Sequence, residues 1–530
     1  PPIGTALTQD YNINMSGGND RGHYYAGLGY NYSEGLPINT FYERYSFVFN
    51  GDYKIKPWLT SYSSLNFTRA NWENLPGSAV SEYNYFGRIL STPPTVRYED
   101  EEGNLLLGQH YQDGNQQYQP EKFIRDNQSD KFTMNQSFNI DFMKGLSLKV
   151  SGNWYYEEQL AESFNKDFYQ TPTVINTTRS TSSNWRRKFD QTYNAVLNYS
   201  NQITQDHYLD AMIGTEYYDS YTRYLSASGS GAATDDFGDL ELTDKGENKR
   251  NIDTYHNKER IMSYFGRANY DFRSKYLLSL VMRSDGYSRL VDNRWGVFPG
   301  VSAGWVFSKE KFMQKYSDIL SFGKLRASFG LNGKVDTNQI GYYTLQGSYS
   351  TSSKYDGNTS YVIGSIPNPG LRWEKSRTIE AGLDLSFLEN RLNANFTYYN
   401  RLTSDKYANI SLPSSSGISS VLTNNGKIRN KGIEIDLNAK IIQTKDWNWT
   451  VGANIAYNKN IIVSLPNNGL DKNRQDAFQV YSGNGDEKIW VGGYQEGQEP
   501  GMMYAFQADG IYKNWDEIPD YLEDRGGGAS

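Results

Sequence analysis

The chain has 530 residues, of which 37% are hydrophobic and 15% aromatic, and its formal net charge is -7. Zero cysteines exclude a disulfide framework and any thiolate metal site or thiol nucleophile. The mild acidity argues against nucleic acid as a partner, and the lack of any apolar run of about 18 residues excludes transmembrane helices. The 44 tyrosines favour a structure that places aromatic rings at a boundary between water and an apolar phase.

Runs of alternating apolar and polar residues begin near the N-terminus. The first has Tyr11, Ile13 and Met15 on one side, and the second alternates from Tyr24 to Tyr32. This period-two alternation predicts strands with one apolar and one polar face, each close to the roughly 9–11 residues that a tilted strand needs to cross a bilayer. Similar runs predict about sixteen strands in all, near 45–53, 58–69, 133–143, 146–157, 188–200, 206–219, 261–272, 275–286, 300–308, 322–332, 376–388, 391–403, 430–442 and 447–459.

The links between these runs alternate in length. Short links lie near 18–21, 54–57, 144–145, 201–205, 273–274, 389–390 and 443–446, and long links near 70–132, 158–187, 220–260, 333–375 and 404–429. Because antiparallel transmembrane barrels have short periplasmic turns and long extracellular loops, we predict an all-β transmembrane barrel. The apolar faces tend to end in Tyr or Phe, as expected at two membrane interfaces. Helical spacing predicts a brief helix at 309–321, on the short-turn side.

The predicted long loops contain aromatic rings that could stack against a ligand. Packing of loop on loop is the alternative explanation for any one of them. The candidate ligand-binding residues are Trp72, Tyr85, Tyr342, Tyr343, Trp373 and Tyr407.

Patterns that would indicate catalysis are missing. The four histidines are widely separated and lack the spacing of a metal site. The acidic run at 98–102 lacks the spacing of a calcium loop and is interpreted as a solvated loop. We therefore expect no enzyme, no catalytic residue, no metal and no cofactor.

The stretch from Ile261 to Gly333 also resembles a known family, the SusC/RagA-like TonB-dependent outer-membrane transporters. The resemblance extends over nearly the whole chain. Its most specific residues are Gly266-Arg267-x-Asn269-Tyr270, Arg283-Ser284-Asp285-Gly286-Tyr287-Ser288-Arg289, Arg294-Trp295-Gly296-x-Phe298-Pro299, Leu325-Arg326-x-Ser328-x-Gly330, Asn368-Pro369-x-Leu371-x-Trp373-Glu374 and Asn430-Lys431-Gly432-Ile433-Glu434.

The resemblance implies a barrel of 22 strands in the outer membrane of a Gram-negative bacterium of the Bacteroidota type. It implies a SusD-like surface lipoprotein as a lid, the TonB–ExbB–ExbD complex as the energy source, and an oligosaccharide or oligopeptide as the cargo. Pairing of two barrels with two lids is a further expectation. Residues 1–530 have no counterpart of the plug domain, the TonB box or the last strands, so we expect an internal piece of a longer polypeptide.

Three charged residues of the motif series lie where a predicted strand enters a loop. We expect Arg283, Asp285 and Arg289 to have structural roles, fixing strand register and contacting the plug. The sequence leaves three functions open, namely import of an oligosaccharide, import of an oligopeptide, and a non-transporting surface adhesin or structural barrel. Aromatic loops favour the oligosaccharide.

Overall fold

The computed structural model describes residues 5–37, 39–74, 97, 100–103, 121–171, 173–351, 354–356, 358–482, 487–505, 510 and 513–514. Sixteen strands within these residues form one sheet. They are β1 Thr8–Asn19, β2 Gly22–Glu34, β3 Phe41–Lys56, β4 Leu59–Glu73, β5 Phe123–Met143, β6 Leu146–Asn165, β7 Ser180–Thr204, β8 His207–Ser230, β9 Arg250–Phe272, β10 Tyr276–Tyr287, β11 Trp295–Trp305, β12 Leu320–Lys334, β13 Glu374–Phe387, β14 Leu392–Ser411, β15 Ser420–Gln443 and β16 Asn448–Ser464. The predictions of an all-β fold and about sixteen strands are confirmed.

Each strand pairs antiparallel with the next one along the chain, so the sheet is a meander from β1 to β16. Each odd-numbered strand is connected to the next strand at the same edge of the sheet, which we call the turn edge. Four connections there are two-residue turns, between Asn19 and Gly22, Lys56 and Leu59, Met143 and Leu146, and Thr204 and His207. Arg273 and Ser274 have φ values of 57° and 50° in the turn between β9 and β10.

The opposite edge, the loop edge, carries the longer connections, as predicted. These include residues 74–122, 166–179, 231–249 and 335–373. Three connections at the loop edge are nevertheless short, at 35–40, 288–294 and 412–419.

At the loop edge, strands continue into stretches predicted as loops, by five or more residues in nine of them. β7 has 25 residues and β8 has 24, against 13 and 14 in the predicted ranges 188–200 and 206–219. The predicted loops at 158–187, 220–260 and 404–429 are reduced accordingly. Beyond the apolar part of each strand both faces are polar, so the backbone ladder continues without the alternation that marked the strand in the sequence.

The sheet has an apolar face and a polar face. On β10 the apolar face carries Leu280, which is 49% exposed and lies opposite Ala268 of β9 and Val301 of β11. Val301 in turn lies opposite Phe329 of β12. A continuous row of exposed aliphatic and aromatic side chains is unfavourable in water and favourable against hydrocarbon, so this face fits a lipid environment.

Aromatic pairs lie at both ends of the apolar face. Toward the turn edge, the rings of Phe272 and Tyr276 stack with centroids 6.1 Å apart. Toward the loop edge, Tyr264 stacks with Trp295 at 6.0 Å. Two aromatic levels with aliphatic side chains between them are typical of a strand that crosses a bilayer.

Smaller elements lie in the connections at both edges of the sheet. The residues described include four hairpins, Phe168–Thr171 with Val174–Asn176, Ser348–Ser350 with Val362–Ser365, Lys354–Tyr355 with Asn358–Thr359, and Phe478–Tyr481 with Lys488–Val491. They also include short 3-10 helices at Leu240–Leu242, Phe307–Lys309, Lys311–Tyr316, Thr344–Gln346, Ser414–Ser416 and Asp471–Asn473. The brief helix predicted at 309–321 is thus present as 3-10 turns. Of these described helices, none has the length and apolarity needed to cross a membrane.

Pro299 lies within β11 and not at the strand start that the sequence suggested. It pairs with Met282 of β10, but the ladder between β11 and β12 begins only at Gly300. Proline lacks an N–H and is tolerated where one side of a strand has no partner. The missing donor therefore interrupts no pair with β12.

Candidate functional site

Arg283 is the centre of a charged cluster on the polar face of the sheet. Its Nε donates to Asp285 Oδ1 at 2.7 Å, and its Nη2 donates to Glu216 Oε1 at 3.0 Å and to Ser263 Oγ at 2.9 Å. Ser263 is completely buried. Charge-assisted hydrogen bonds of this kind are stronger than neutral ones, so the cluster ties β8, β9 and β10 together in a fixed register.

Arg326 is the centre of a second cluster, on β12 to β14. It donates to Glu380 at 2.5 Å, to Asp384 at 3.2 Å and to Thr397 at 2.5 Å. Gly382 lies directly opposite Arg326, and a Cβ at Gly382 would overlap the guanidinium. Arg326 and Glu380 also line an open concavity of about 620 Å³ in the wall.

Arg289 lies just beyond β10 and holds residues 335–373, here called the mouth loop. Its side chain is 8% exposed, and its Nε donates to Glu259 Oε2 at 2.7 Å. Its Nη1 donates to the backbone oxygen of Ile340 at 2.8 Å. The guanidinium carbon lies 3.9 Å from the centroid of the Tyr342 ring, so one arginine contacts the mouth loop at two points.

A buried cluster packs beneath the mouth loop. Asn293 Nδ2 donates to the Gly370 oxygen at 2.8 Å, and Trp373 Nε1 donates to the Arg294 oxygen at 3.0 Å, which ties the loop to the short connection after β10. Apolar burial and these bonds fold the loop against the sheet. The mouth cluster consists of Tyr287, Leu290, Phe298, Ile340, Leu345, Leu371, Trp373 and Tyr407.

Three of the predicted ligand-contacting rings have accessible surface. Trp72 is half-buried at the loop end of β4, opposite Tyr42 and Asn127, and by strand alternation from Phe67 it lies on the polar face. Tyr342 is half-buried against Arg289. Its neighbour Tyr343 is 60% exposed.

Two of the other predicted rings are buried. Trp373 is 8% exposed and Tyr407 is 3% exposed, and both pack in the mouth cluster. The Tyr407 hydroxyl donates to the Arg372 oxygen at 2.8 Å. Their surroundings favour packing, and their contact with a ligand stays a prediction. Tyr85 lies outside the described residues. The structure brings four of the rings to the mouth loop and its surroundings, and it leaves Trp72 on a distant strand.

Tyr224 and Tyr255 form an aromatic pair that the sequence analysis did not single out. Their rings stack with centroids 4.8 Å apart, and the Tyr224 hydroxyl donates to Asn184 Oδ1 at 3.0 Å. Alternation along β8 from the exposed Ile213 places the pair on the polar face. Both residues fall in the predicted loop 220–260. The strands continue to pair there through polar segments, and this pairing has no local pattern in the sequence that could have identified the two residues.

Tyr342 lies on the mouth loop, against Arg289. Burial raises the pKa of the Tyr342 hydroxyl, the carboxylate of Glu259 raises it further, and Arg289 acts in the opposite direction. Tyr255 also raises it and therefore lies within electrostatic range. We call Tyr224, Tyr255, Glu259, Arg289 and Tyr342 the inner mouth surface. Aromatic faces beside fixed polar groups can stack on a ligand and bind its hydroxyl or amide groups.

The described residues do not indicate a metal site. Across the described ranges, no group of three or more His, Asp or Glu side chains is arranged to hold an ion. The expectation that the chain has no metal and no cofactor stays a prediction.

Comparison with known sequences gives a consistent family. Residues 80–522 match the family described as TonB dependent receptor-like, beta-barrel. The chain is 25% identical over 516 residues to TonB-dependent receptor P39 of Formosa agariphila, covering 97% of this chain and 47% of that protein. It is 26% identical over 561 residues to TonB-dependent receptor SusC of Bacteroides thetaiotaomicron, covering 99% of this chain and 54% of SusC. The chain thus spans about half the length of these relatives.

Solved structures agree. The RagAB peptide transporter matches with a TM-score of 0.75 and 26% identity, covering 87% of this chain and 51% of that chain. The RagAB peptide importer in its open-open state matches with a TM-score of 0.78 and 25% identity, covering 93% and 53%. The siderophore receptor PiuA from Acinetobacter baumannii, at a TM-score of 0.52 and 12% identity over 87% and 64%, shares the fold alone.

Proposed function

Because the chain belongs to the TonB-dependent receptor-like β-barrel family, we propose that it is the barrel wall of an active importer that carries a nutrient across the outer membrane. The proposal rests on one observation, namely that one face of the sheet is apolar and the other is polar. The apolar face exposes Leu280 and its neighbours to lipid, and the polar face presents Arg283 and Arg326 with their carboxylates to a lumen.

The fold and the cellular location follow from family membership. The chain is part of a transmembrane β-barrel of the SusC/RagA type in the outer membrane of Bacteroidota, as the motif series predicted. The apolar face is accordingly the outer, lipid-facing surface of the wall, and the loop edge faces the outside of the cell.

For the substrate, an oligosaccharide is the first candidate. Sugar rings have apolar faces that stack on aromatic side chains, and their hydroxyls bind charged and amide groups. The inner mouth surface offers both kinds of contact, with the stacked Tyr224 and Tyr255 rings four residues along β9 from Glu259, which pairs with Arg289. Trp72, Tyr342 and Tyr343 are the predicted contacts with ring surface left for a ligand.

An oligopeptide is the second candidate. The observation that favours it is the similarity to the RagAB peptide transporter, at 26% identity. Peptide amides and carboxylates would bind the same arginine and glutamate side chains. Calorimetry of the full-length protein against matched oligosaccharide and oligopeptide panels separates the two, because binding of peptides without any glycan contradicts the first candidate.

The partners proposed for the whole protein are a SusD-like lipoprotein lid at the loop edge and the TonB–ExbB–ExbD complex on the periplasmic side, with two barrel and lid pairs forming a dimer. Arg283, Asp285 and Arg289 are proposed to contact the plug domain. For Arg283 the support is a side chain that is 40% exposed on the polar face, with donors left for a further partner.

Energy-dependent uptake tests the transport proposal. Cells that express the full-length protein should accumulate labelled substrate, and deletion of TonB should abolish accumulation while leaving surface binding intact. Binding without any TonB-dependent accumulation would instead support the non-transporting adhesin.

A further inference from the structure

Four cationic side chains lie together on the lipid-facing side of the wall, on the loop side of the stacked Tyr264 and Trp295 rings. They are Arg187 on β7, Arg223 on β8, and Lys258 and Arg260 on β9, and we call them the outer basic patch. None of them takes part in the polar face or in the inner mouth surface.

Strand register places the four residues on one face. Arg187 lies directly opposite Arg223, so these two guanidinium groups project from the same side of adjacent strands. Alternation along β8 relates Arg223 to Ile213, which is 65% exposed on the apolar face. On β9, Lys258 and Arg260 alternate in the same way with Tyr264. The patch therefore points away from the lumen.

The level of the patch follows from the length of the apolar part of β9. Outward positions from Phe272 to Met262 make up one crossing, since about 9–11 tilted residues span a bilayer. Arg260 is the next outward residue and Lys258 the one after it. The stacked rings of Tyr264 and Trp295 mark the interface just below. Lys258 and Arg260 thus lie at the height of the headgroups of the outer leaflet, and Arg223, which pairs with His256 of β9, lies with Arg187 one outward position farther from the hydrocarbon.

The carboxylates nearby do not balance the patch. Asp219 is shared by Lys258 at 3.4 Å and Arg260 at 3.1 Å. Arg223 is exposed and has no ion pair among the described residues, and Arg187 stacks on Trp185, with its guanidinium carbon 5.3 Å from the ring centroid. Arg187 and Arg223 lie side by side, and neighbouring cations repel one another and are stabilised by an anion.

A second carboxylate, Glu158 of β6, lies directly opposite Arg187 on this face. It accepts from the Trp185 Nε1 at 2.5 Å and from the Tyr156 hydroxyl at 2.5 Å, and its negative charge offsets part of the positive charge of Arg187. At a comparable height on β4, by contrast, Arg69 has a carboxylate of its own, Asp130, at 3.9 Å. Two carboxylates, Asp219 and Glu158, thus face the four cations of the outer basic patch, which keeps a net positive charge.

We propose that the outer basic patch binds the phosphate group of an anionic lipid headgroup in the outer leaflet. Arginine fits this task because its planar guanidinium donates two parallel hydrogen bonds to phosphate oxygens. Acyl chains of the same lipid would lie against the apolar row that includes Ile213 and Tyr264. This site is independent of the transported substrate and of TonB.

Lipid titration of the full-length protein in detergent, followed by native mass spectrometry, tests the site. The probes are phosphorylated lipid A, the same lipid after phosphatase treatment, and inorganic phosphate. Each cation at a membrane surface contributes about five-fold in affinity, so Arg223→Gln should weaken binding of phosphorylated lipid A about five-fold and the double variant Arg187→Gln/Arg223→Gln about 30-fold. Arg69→Gln is the matched control and should leave binding unchanged.

Three results would overturn the proposal. They are retention of phosphorylated lipid A by the double variant at wild-type affinity, equally tight binding of the phosphatase-treated lipid, and equally tight binding of inorganic phosphate, which would indicate a free-anion site. Since TonB-dependent uptake is measured separately, failure of the lipid site leaves the transport proposal untouched, and the reverse also holds.

Discussion

The guanidinium carbon of Arg289 lies 3.9 Å from the centroid of the Tyr342 ring, at a distance where a cation and an aromatic face attract each other. The same side chain donates to the backbone oxygen of Ile340, two residues earlier in the mouth loop. Because Glu259 holds the other side of the guanidinium, the loop is fixed to β9 through a single arginine.

Arg289→Ala should therefore loosen the mouth loop around Ile340 and Tyr342. The change removes one partner of a largely buried ion pair and leaves Glu259 with the Tyr287 hydroxyl as its remaining donor, at an expected cost of about 3 kcal/mol. Limited proteolysis of the full-length protein should show new cleavage within residues 335–373. Arg267→Ala is the control, since its pair with Asp210 is exposed and should contribute under about 1 kcal/mol. Equal protease resistance of both variants would contradict this role.

Tyr343→Ala and Trp373→Ala should separate ligand contact from packing. Tyr343 is 60% exposed, so its truncation should weaken ligand binding and leave the melting temperature close to wild type. Trp373 is 8% exposed in the mouth cluster, so its truncation should destabilise the protein by about 3–5 kcal/mol. Calorimetric binding and thermal unfolding of each variant measure the two effects. Unchanged binding by Tyr343→Ala would make that ring irrelevant to recognition.

Gly333→Ala should strain the wall near the mouth cluster. A Cβ at Gly333 would overlap the ring of Phe298, so the ring or the strand must shift, at about 1–3 kcal/mol. Gly330→Ala on the same strand is a matched control, because nothing lies within 4 Å of its added carbon. Thermal unfolding of the two variants should differ, and equal melting temperatures would show that Phe298 has room to move.

Low pH should loosen residues 231–249 through Asp235. Burial would raise the pKa of this carboxyl, but bonds from the Asp167 N–H and from Arg179 Nε, both at 2.8 Å, hold it below the ordinary 3.8. A lowered pKa means that the ionised form stabilises the folded loop. That contribution is complete above 3.8 and is lost as the pH falls through the lowered pKa.

Hydrogen exchange, corrected for the intrinsic rate at each pH, measures this effect. Exchange in residues 231–249 should stay slow from neutral pH to 3.8 and should accelerate below it. Asp235→Asn should make exchange fast throughout. A variant with the wild-type pH profile would assign the transition to another group.

Much of the wall could be predicted because lipid imposes alternation on the sequence. Ala268 and Tyr270 on β9 have polar neighbours on both sides, and this pattern identified the strand. The outer half of β7 could not be predicted in this way, since water on both faces removes the alternation. Its strand geometry depends on pairing with β6 and β8, which no local pattern specifies.

The site was predicted less well than the wall. The sequence singled out Arg289, but its partners Glu259 and Ile340 are 30 and 51 residues away along the chain and become neighbours only through strand register and loop folding. Trp373 and Tyr407 were predicted as ligand contacts because they lie in polar stretches. Their burial results from the inward packing of the mouth loop, which depends on tertiary contacts.

The length of β7 has a consequence for how the cell surface is organised. About 11 of its 25 residues suffice to cross the hydrocarbon, so the rest raises the rim of the wall roughly 30 Å above the lipid. This extension of the wall would place the opening above the sugar chains of neighbouring lipids. A bulky polymer could then reach the pore from the side as well as from above, without first penetrating the coat that shields the rest of the membrane.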